Sequence, residues 1–337
     1  MSHHKNYIPI LDGWRAVSII FVIAGHWLPL GPPSWQFNES VASSGMALFF
    51  CLSGFLITQF LSTDPRVGVF LIKRIFRIVP LAWLAITILL FFNDATNFIA
   101  FANYLFFANL ISEPLLIGGE HLWSLFVEMQ FYIFMALLAA FFGRKAVFVI
   151  PFFTLLVSLL RIYAGETISI VTWHRVDEIF VGGCVALAWT YQKENIKALN
   201  LPCYLPVIFL FMLVIVNLPQ WPMLGYLRPY VAAATIFTSL FAFPTKLYML
   251  WTGRSANYIA RISYALYVFH GIFGATSLGG HDVAKLEKYL LRVPLAAITL
   301  IVSHISTFYF EARGIRWGNK IVDKIANPKC TEKPGNV

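Results

Sequence analysis

The sequence predicts an all-helical, polytopic membrane protein with about ten transmembrane helices and both termini in the cytoplasm. Three observations carry this prediction. The 337-residue chain is 59% hydrophobic and only 12% charged, whereas a soluble domain is about 45–50% apolar and about 25% charged. That much apolar surface exceeds what one water-facing fold can hide, so the bilayer must solvate most of it. Apolar stretches of span length also recur along the chain, and Lys and Arg alternate between its loops. Aromatic residues, 17% of the chain, suit lipid contact and interfacial belts.

A membrane helix needs about 20 apolar residues. Ten segments are read as spans: roughly 9–30, 43–61, 78–93, 121–142, 146–163, 176–192, 201–217, 227–243, 262–278 and 289–311. The apolar stretch 98–111 is shorter and is read as an interfacial or re-entrant element of an outer loop. With the N-terminus inside, the inner loops hold Arg66, Lys73, Arg74 and Arg77, then Arg144 and Lys145, Lys193 and Lys197, and Lys246, Arg254 and Arg261. Outer loops hold few cations, and the loop 94–120 holds Asp94, Glu113 and Glu120 with no base. This is a positive-inside pattern, N-in and C-in with an even span count, and a multi-pass protein of the cell's inner membrane is expected. It also accounts for the net charge of +9 without nucleic acid. Residues 1–311 read as one membrane domain and 312–337 as a short basic cytoplasmic tail. The four cysteines suggest neither a metal site nor a disulfide framework. No metal and no permanently bound cofactor is expected.

Ionisable residues inside spans are costly and usually face a cavity or a partner. In the first span Arg15 and His26 stand eleven positions apart, which at about 100° and 1.5 Å per residue puts them on one stripe about 16 Å apart. Arg15 either snorkels to the interface beside Asp12 or serves the site. His26 is either a hydrogen-bonded core imidazole or an acid–base group. Ser53-Gly54 in the second span lets a ligand or a neighbouring helix approach the backbone. Lys73, Arg74 and Arg77 are either topology anchors or a phosphate clamp. His121, Ser124 and Glu128 share one face of the fourth span. Glu128 is a structural partner for a cation or the group that orients His26, since both lie at similar depth. Arg175, Asp177 and Glu178 are read at the outer surface. Ser263, Tyr267 and His270 form a polar stripe on the ninth span.

These residues resemble the acyltransferase-3 family of membrane O-acyltransferases. The resemblance runs through nearly the whole chain on six motifs: LDGWR…GH at 11–26, LFFCLSGFLIT at 48–58, RIFRIVP at 74–80, HLWSLFVEMQFY at 121–132, RVDEIFVGG at 175–183 and SYALYVFH at 263–270. It implies transfer of an acyl group, most often acetyl from acetyl-CoA, onto hydroxyls of glycans and other acceptors. The family's Arg and His fall on Arg15 and His26, its Arg-x-x-Arg on Arg74 and Arg77, and its W-S-L-x-x-E on Trp123, Ser124, Leu125 and Glu128. Where the family often has two adjacent glutamates, this chain has Glu128-Met129.

The resulting expectation gives acetyl-CoA phosphates to Arg74, Arg77 and Arg15, with Ser53 and Gly54 beside the donor. His26 is the base or acyl acceptor, oriented by Glu128. The glycan acceptor meets Trp123, Ser124, Arg175, Asp177, Tyr267 and His270 from the outer side. The alternative class is a transporter or flippase of a glycan precursor, which would work only across a closed membrane.

Overall fold

The computed structural model describes residues 7–64, 66–93, 116–280 and 283–326, and all regular structure among them is helical. Ten helices coincide with the ten expected segments: α1 (Pro9–Trp27), α2 (Phe37–Thr63), α3 (Val67–Phe92), α4 (Trp123–Phe142), α5 (Ile150–Tyr163), α6 (Asp177–Lys197), α7 (Leu205–Val216), α8 (Arg228–Phe241), α9 (Arg254–Gly274) and α10 (Lys285–Ile305). An eleventh, α11 (Ala312–Ala326), follows a π-helical turn, Ser306–Glu311. The expected element at 98–111, the loop charges Asp94 and Glu113 and the last residues of the tail lie outside the described residues.

Length and apolarity alone qualify five stretches to cross a membrane, or six if the bent pair Pro222–Phe241 and Thr245–Trp251 counts as one. The expectation of ten therefore exceeds what the helices carry by this measure. The reasons are physical. Helices α7 and α8 have only 12 and 14 residues, short of the ~20 needed for a full crossing. Helices α6 and α9 carry charge along their length, including Asp177, Glu178, Lys193, Arg254 and Arg261. Helices α4 and α5 join through the 3-10 turn Gly143–Val149 into one 44-residue apolar stretch.

Helix α2 is central. Of its most apolar window, 72% is buried inside the protein, and it packs on α1 along one side and α6 along the other. The α2–α6 contact is made through missing side chains. A Cβ at Gly54 would stand 1.8 Å from the Ile179 carbonyl oxygen, and one at Gly182 would stand 1.9 Å from that of Cys51. Small residues let backbones meet where lipid supplies no hydrophobic drive between helices. Gly54 is thus a packing residue, not a donor-binding one.

Helix α5 is inverted relative to a helix of a soluble protein. Thr154, Ser158 and Arg161 face inward and are buried, while Phe152, Leu155, Leu159 and Ile162 face outward and are exposed. An apolar exterior is the stable arrangement when hydrocarbon is the solvent, and polar side chains must then find partners inside. Within the expected basic tail, residues 312–326 are helical. Helix α11 packs on α3, with Gly314 and Gly318 set close against Phe76. That contact falls between Arg74 and Arg77.

The α2–α6 contact predicts that Gly54→Ala destabilises the protein by about 1–3 kcal/mol or more, because both backbones must separate. Gly68→Ala, with no atom within 4 Å of the added carbon, leaves stability unchanged or raised by about 0.5–1 kcal/mol. Thermal unfolding of the two purified variants in detergent checks the difference.

Candidate active site

The polar residues of the first four helices and of α9 gather around a string of cavities. The first is narrow, about 50 Å³, and lies between α1, α2, α3, α4 and α9. Arg15, Arg74 and Arg77 line it together with Glu128 and Ser53. Glu128 is buried and accepts hydrogen bonds from the Ser53 hydroxyl and from the Tyr132 hydroxyl one turn on. The Arg74 guanidinium lies over the rings of Phe70 and Tyr132, 5.9 and 5.5 Å from their centroids. Arg15 is held at 2.8 Å by Asp12, one turn earlier on α1. Glu311, on the π turn before α11, lies in the electrostatic field of Arg77. Three guanidinium groups thus converge on a crevice with one carboxylate on its wall. Guanidinium forks match phosphate oxygens.

A second, smaller void continues from the first and shares Arg15, Phe49 and Ser263 with it. Tyr267 forms its far wall. The Tyr267 hydroxyl donates to the His121 carbonyl and meets the Ser124 hydroxyl at 2.5 Å. Beyond Tyr267 lies a cluster of three imidazoles. The ring of His270 is 4.7 Å from that of His121 and 5.1 Å from that of His26. His26 and His270 line the third and largest cavity, about 390 Å³, whose wall also holds Trp27, Glu120 and Arg292.

Each imidazole is tied to a backbone carbonyl. His26 Nδ1–H donates to the Val22 oxygen at 2.7 Å, His270 Nδ1–H to the Tyr267 oxygen at 2.6 Å, and His121 Nε2–H to the Val268 oxygen at 3.0 Å. A carbonyl can only accept, so each bond fixes which nitrogen carries the proton. His26 and His270 are left with a lone pair on Nε2 and His121 with one on Nδ1. His26 is exposed to the cavity, whereas His121 and His270 are buried. A neutral imidazole with a fixed tautomer and an open Nε2 is equipped to take a proton or an acyl group.

The structure separates two residues that sequence reasoning had joined. Glu128 lines the arginine cavity and not the cavity of His26. The group that orients His26 is the Val22 carbonyl. Equal depth on two helices gives no bearing around their axes, and Glu128 turns toward Ser53 and Tyr132. Ser53 lines the arginine cavity.

Arg175 and Asp177 are also not surface groups. Asp177 and Glu178 are fully buried and Arg175 nearly so. Asp177 accepts from Arg161 at 2.5 Å. The Glu178 carboxylate takes one oxygen to Arg228 and stands 3.4 Å from Arg175 with the other. Arg175 lies over the Trp123 ring at 5.3 Å, which ties Trp123 to this cluster. Arg161 and Arg228, one at the end of an apolar helix and one at a helix start, supply the countercharge that makes burial possible. Sequence reading missed Arg161, Arg292 and the part taken by His121. The only signals for them were a lone cation late in α5, another within α10, and the i, i+3 spacing of His121 and Ser124.

The comparisons with known proteins agree with the motifs. The family model described as an acyltransferase domain matches residues 8–312. A protein named nodulation protein 10, from Rhizobium leguminosarum bv. viciae, is 27% identical over 233 residues, covering 54% of this chain and 64% of that protein. Peptidoglycan O-acetyltransferase OatA of Listeria monocytogenes is 29% identical over 159 residues, covering 39% of this chain and 24% of its own. O-acetyltransferase OatA of Staphylococcus aureus is 23% identical over 356 residues, covering 90% of this chain and 57% of its own. The chain thus spans less than two thirds of the length of each of these relatives. No solved structure matches it. With the family model extending over nearly the whole helical bundle, the chain belongs to the acyltransferase-3 family.

Proposed function

We propose that this protein is a multi-pass O-acyltransferase of the inner membrane that moves an acetyl group from cytoplasmic acetyl-CoA to a hydroxyl of a cell-surface or lipid-linked glycan. One observation carries the reading: an arginine-lined crevice leads past Arg15 and Tyr267 toward a tautomer-fixed, accessible imidazole. Family membership and relatives named O-acetyltransferase support the reaction class. The donor and the sidedness are inferred from charge. Arg74 and Arg77 lie in the N-terminal half of α3, after the basic segment that follows α2, so N-in topology turns them toward the cytoplasm, where acyl-CoA resides.

The chemistry follows from the geometry. Arg74, Arg77 and Arg15 bind the donor's phosphates, and Glu128 on the same wall accepts from the Ser53 and Tyr132 hydroxyls. The pantetheine arm runs along the line from Arg15 to His26, about 16 Å on α1. The acceptor hydroxyl occupies the large cavity. His26 Nε2 removes its proton as the oxygen attacks the thioester carbonyl. The carbon–sulfur bond breaks, and the departing thiolate takes the proton from the imidazolium to leave free CoA-SH and the acetyl ester. His270 and His121 lie buried beside His26, each donating one ring N–H to a backbone carbonyl.

In purified protein given labelled acetyl-CoA and an acceptor, His26→Ala should lower transfer on the order of 10²–10⁴-fold. Transfer at the parental rate would remove His26 from the mechanism. Turnover in detergent at all separates this reading from a transporter, which has no compartment to work across there. Arg74→Ala or Arg77→Ala should raise KM for acetyl-CoA on the order of tenfold, the loss of one charge-assisted contact, with kcat less affected. A change confined to acceptor KM would contradict the phosphate assignment. Mass spectrometry of surface glycans from a strain lacking the protein identifies the acceptor by its missing acetyl esters.

A further inference from the structure

The cavity that holds His26 also holds a cation with nothing to pair with. Arg292 lies within α10, lines the cavity and is 9% exposed. None of the ion pairs among the described residues includes it, and none of its nitrogens donates a hydrogen bond there. Its Nε is closed off, whereas Nη1 and Nη2 are not. The tip of the guanidinium is therefore open while its root is covered. Glu120 lines the same cavity but forms no ion pair with it. A guanidinium so far withdrawn from water is costly until an anion meets it. The two Nη groups match the paired oxygens of a carboxylate or phosphate.

The rest of the wall suits a sugar. The volume, about 390 Å³, falls among small-molecule sites of roughly 300–1,000 Å³. Trp27 gives an aromatic wall of the kind that packs against the C–H face of a ring, and the Glu120 carboxylate accepts from hydroxyls. Helix α9 adds Gly271, Gly274 and Ala275, which leave the space unfilled. Lys288 stands one turn before Arg292 on the same face of α10. In the proposed topology α10 begins on the outer side, so an anionic acceptor passes Lys288 before it reaches Arg292.

We propose that Arg292 is a specificity residue of the acceptor cavity and that the acceptor glycan carries an oxyanion, a carboxylate or a phosphate, beside the hydroxyl that is acylated. The Nη groups hold the oxyanion while the hydroxyl faces His26 Nε2. The proposal rests on the reading that this cavity takes the acceptor, and it adds the charge of that acceptor.

Thermal unfolding of the full-length protein in detergent tests it. Sodium glucuronate, glucose-1-phosphate, glucose, inorganic phosphate and sodium chloride are compared at matched ionic strength, with coenzyme A present throughout to occupy the arginine crevice. One or both of the anionic sugars should raise the unfolding midpoint, because a ligand of the folded state stabilises it. A rise with glucuronate alone identifies an acidic sugar, one with glucose-1-phosphate alone a phosphorylated sugar, and one with both the shared oxyanion. Arg292→Gln should need about 10- to 100-fold more of the same sugar for the same rise, the loss of a charge-assisted bond, and Arg292→Lys should keep most of the response. If Arg292→Gln does not fold, Gly274→Phe decides instead. An added Cβ there meets nothing nearer than Trp27 Nε1 at 3.4 Å among the described residues, so the ring fills the cavity and should abolish the rise. No rise with either anionic sugar, an equal rise with glucose, inorganic phosphate or chloride, or an undiminished response in the deciding variant overturns the proposal. The readout is binding without turnover, so a failure here differs from a failure of the acyl-transfer reading, which His26→Ala reports.

Discussion

Hydrocarbon gives a polar side chain nothing to bond with, and this single constraint shapes the interior of the protein. Helix α5 turns its hydroxyls and Arg161 inward. Asp177 and Glu178 draw in three guanidinium groups, and Glu128 draws in two hydroxyls. The histidines take backbone carbonyls from their own or a neighbouring helix. Each solution consumes positions that a water-soluble protein would fill with leucine. The apolar residues displaced from the interior become the lipid-facing surface.

Close backbone approach makes these arrangements rigid. With Gly54 set into the Ile179 carbonyl and Gly182 into that of Cys51, α2 and α6 behave as one unit. Ser53, the residue before Gly54, is thereby fixed opposite Glu128. Asp177 and Glu178 begin the same α6 that Gly182 presses onto α2. The arginine crevice and the buried ion cluster therefore hang from one helix pair, and packing at two glycines sets the geometry of both.

Much of this was legible in the sequence because hydropathy and helical spacing are one-dimensional. The ten apolar segments all became helices, and the common stripe of Arg15 and His26 became a line of cavities. What failed were statements about direction. Glu128 and His26 share a depth, but depth does not say toward which neighbour a side chain turns. Arg175, Asp177 and Glu178 sit at a segment boundary, where composition reads as surface. Only the positions of Arg161, on the preceding helix α5, and Arg228, fifty residues on from Glu178, reveal them as buried. By length and apolarity five or six stretches qualify as crossings among the described residues, fewer than the ten expected, in part because α7 and α8 are apolar yet short.

The carbonyl that holds His26 belongs to the helix that carries His26. Val22 and His26 are one turn apart on α1, so the proton on Nδ1 is assigned by a bond that no movement between helices can break. A catalytic histidine oriented by a residue on another helix must wait for that helix to be in position. Here the lone pair is aimed from within α1. In the proposed reaction the orientation of the imidazole therefore does not depend on how the neighbouring helices are placed around donor and acceptor.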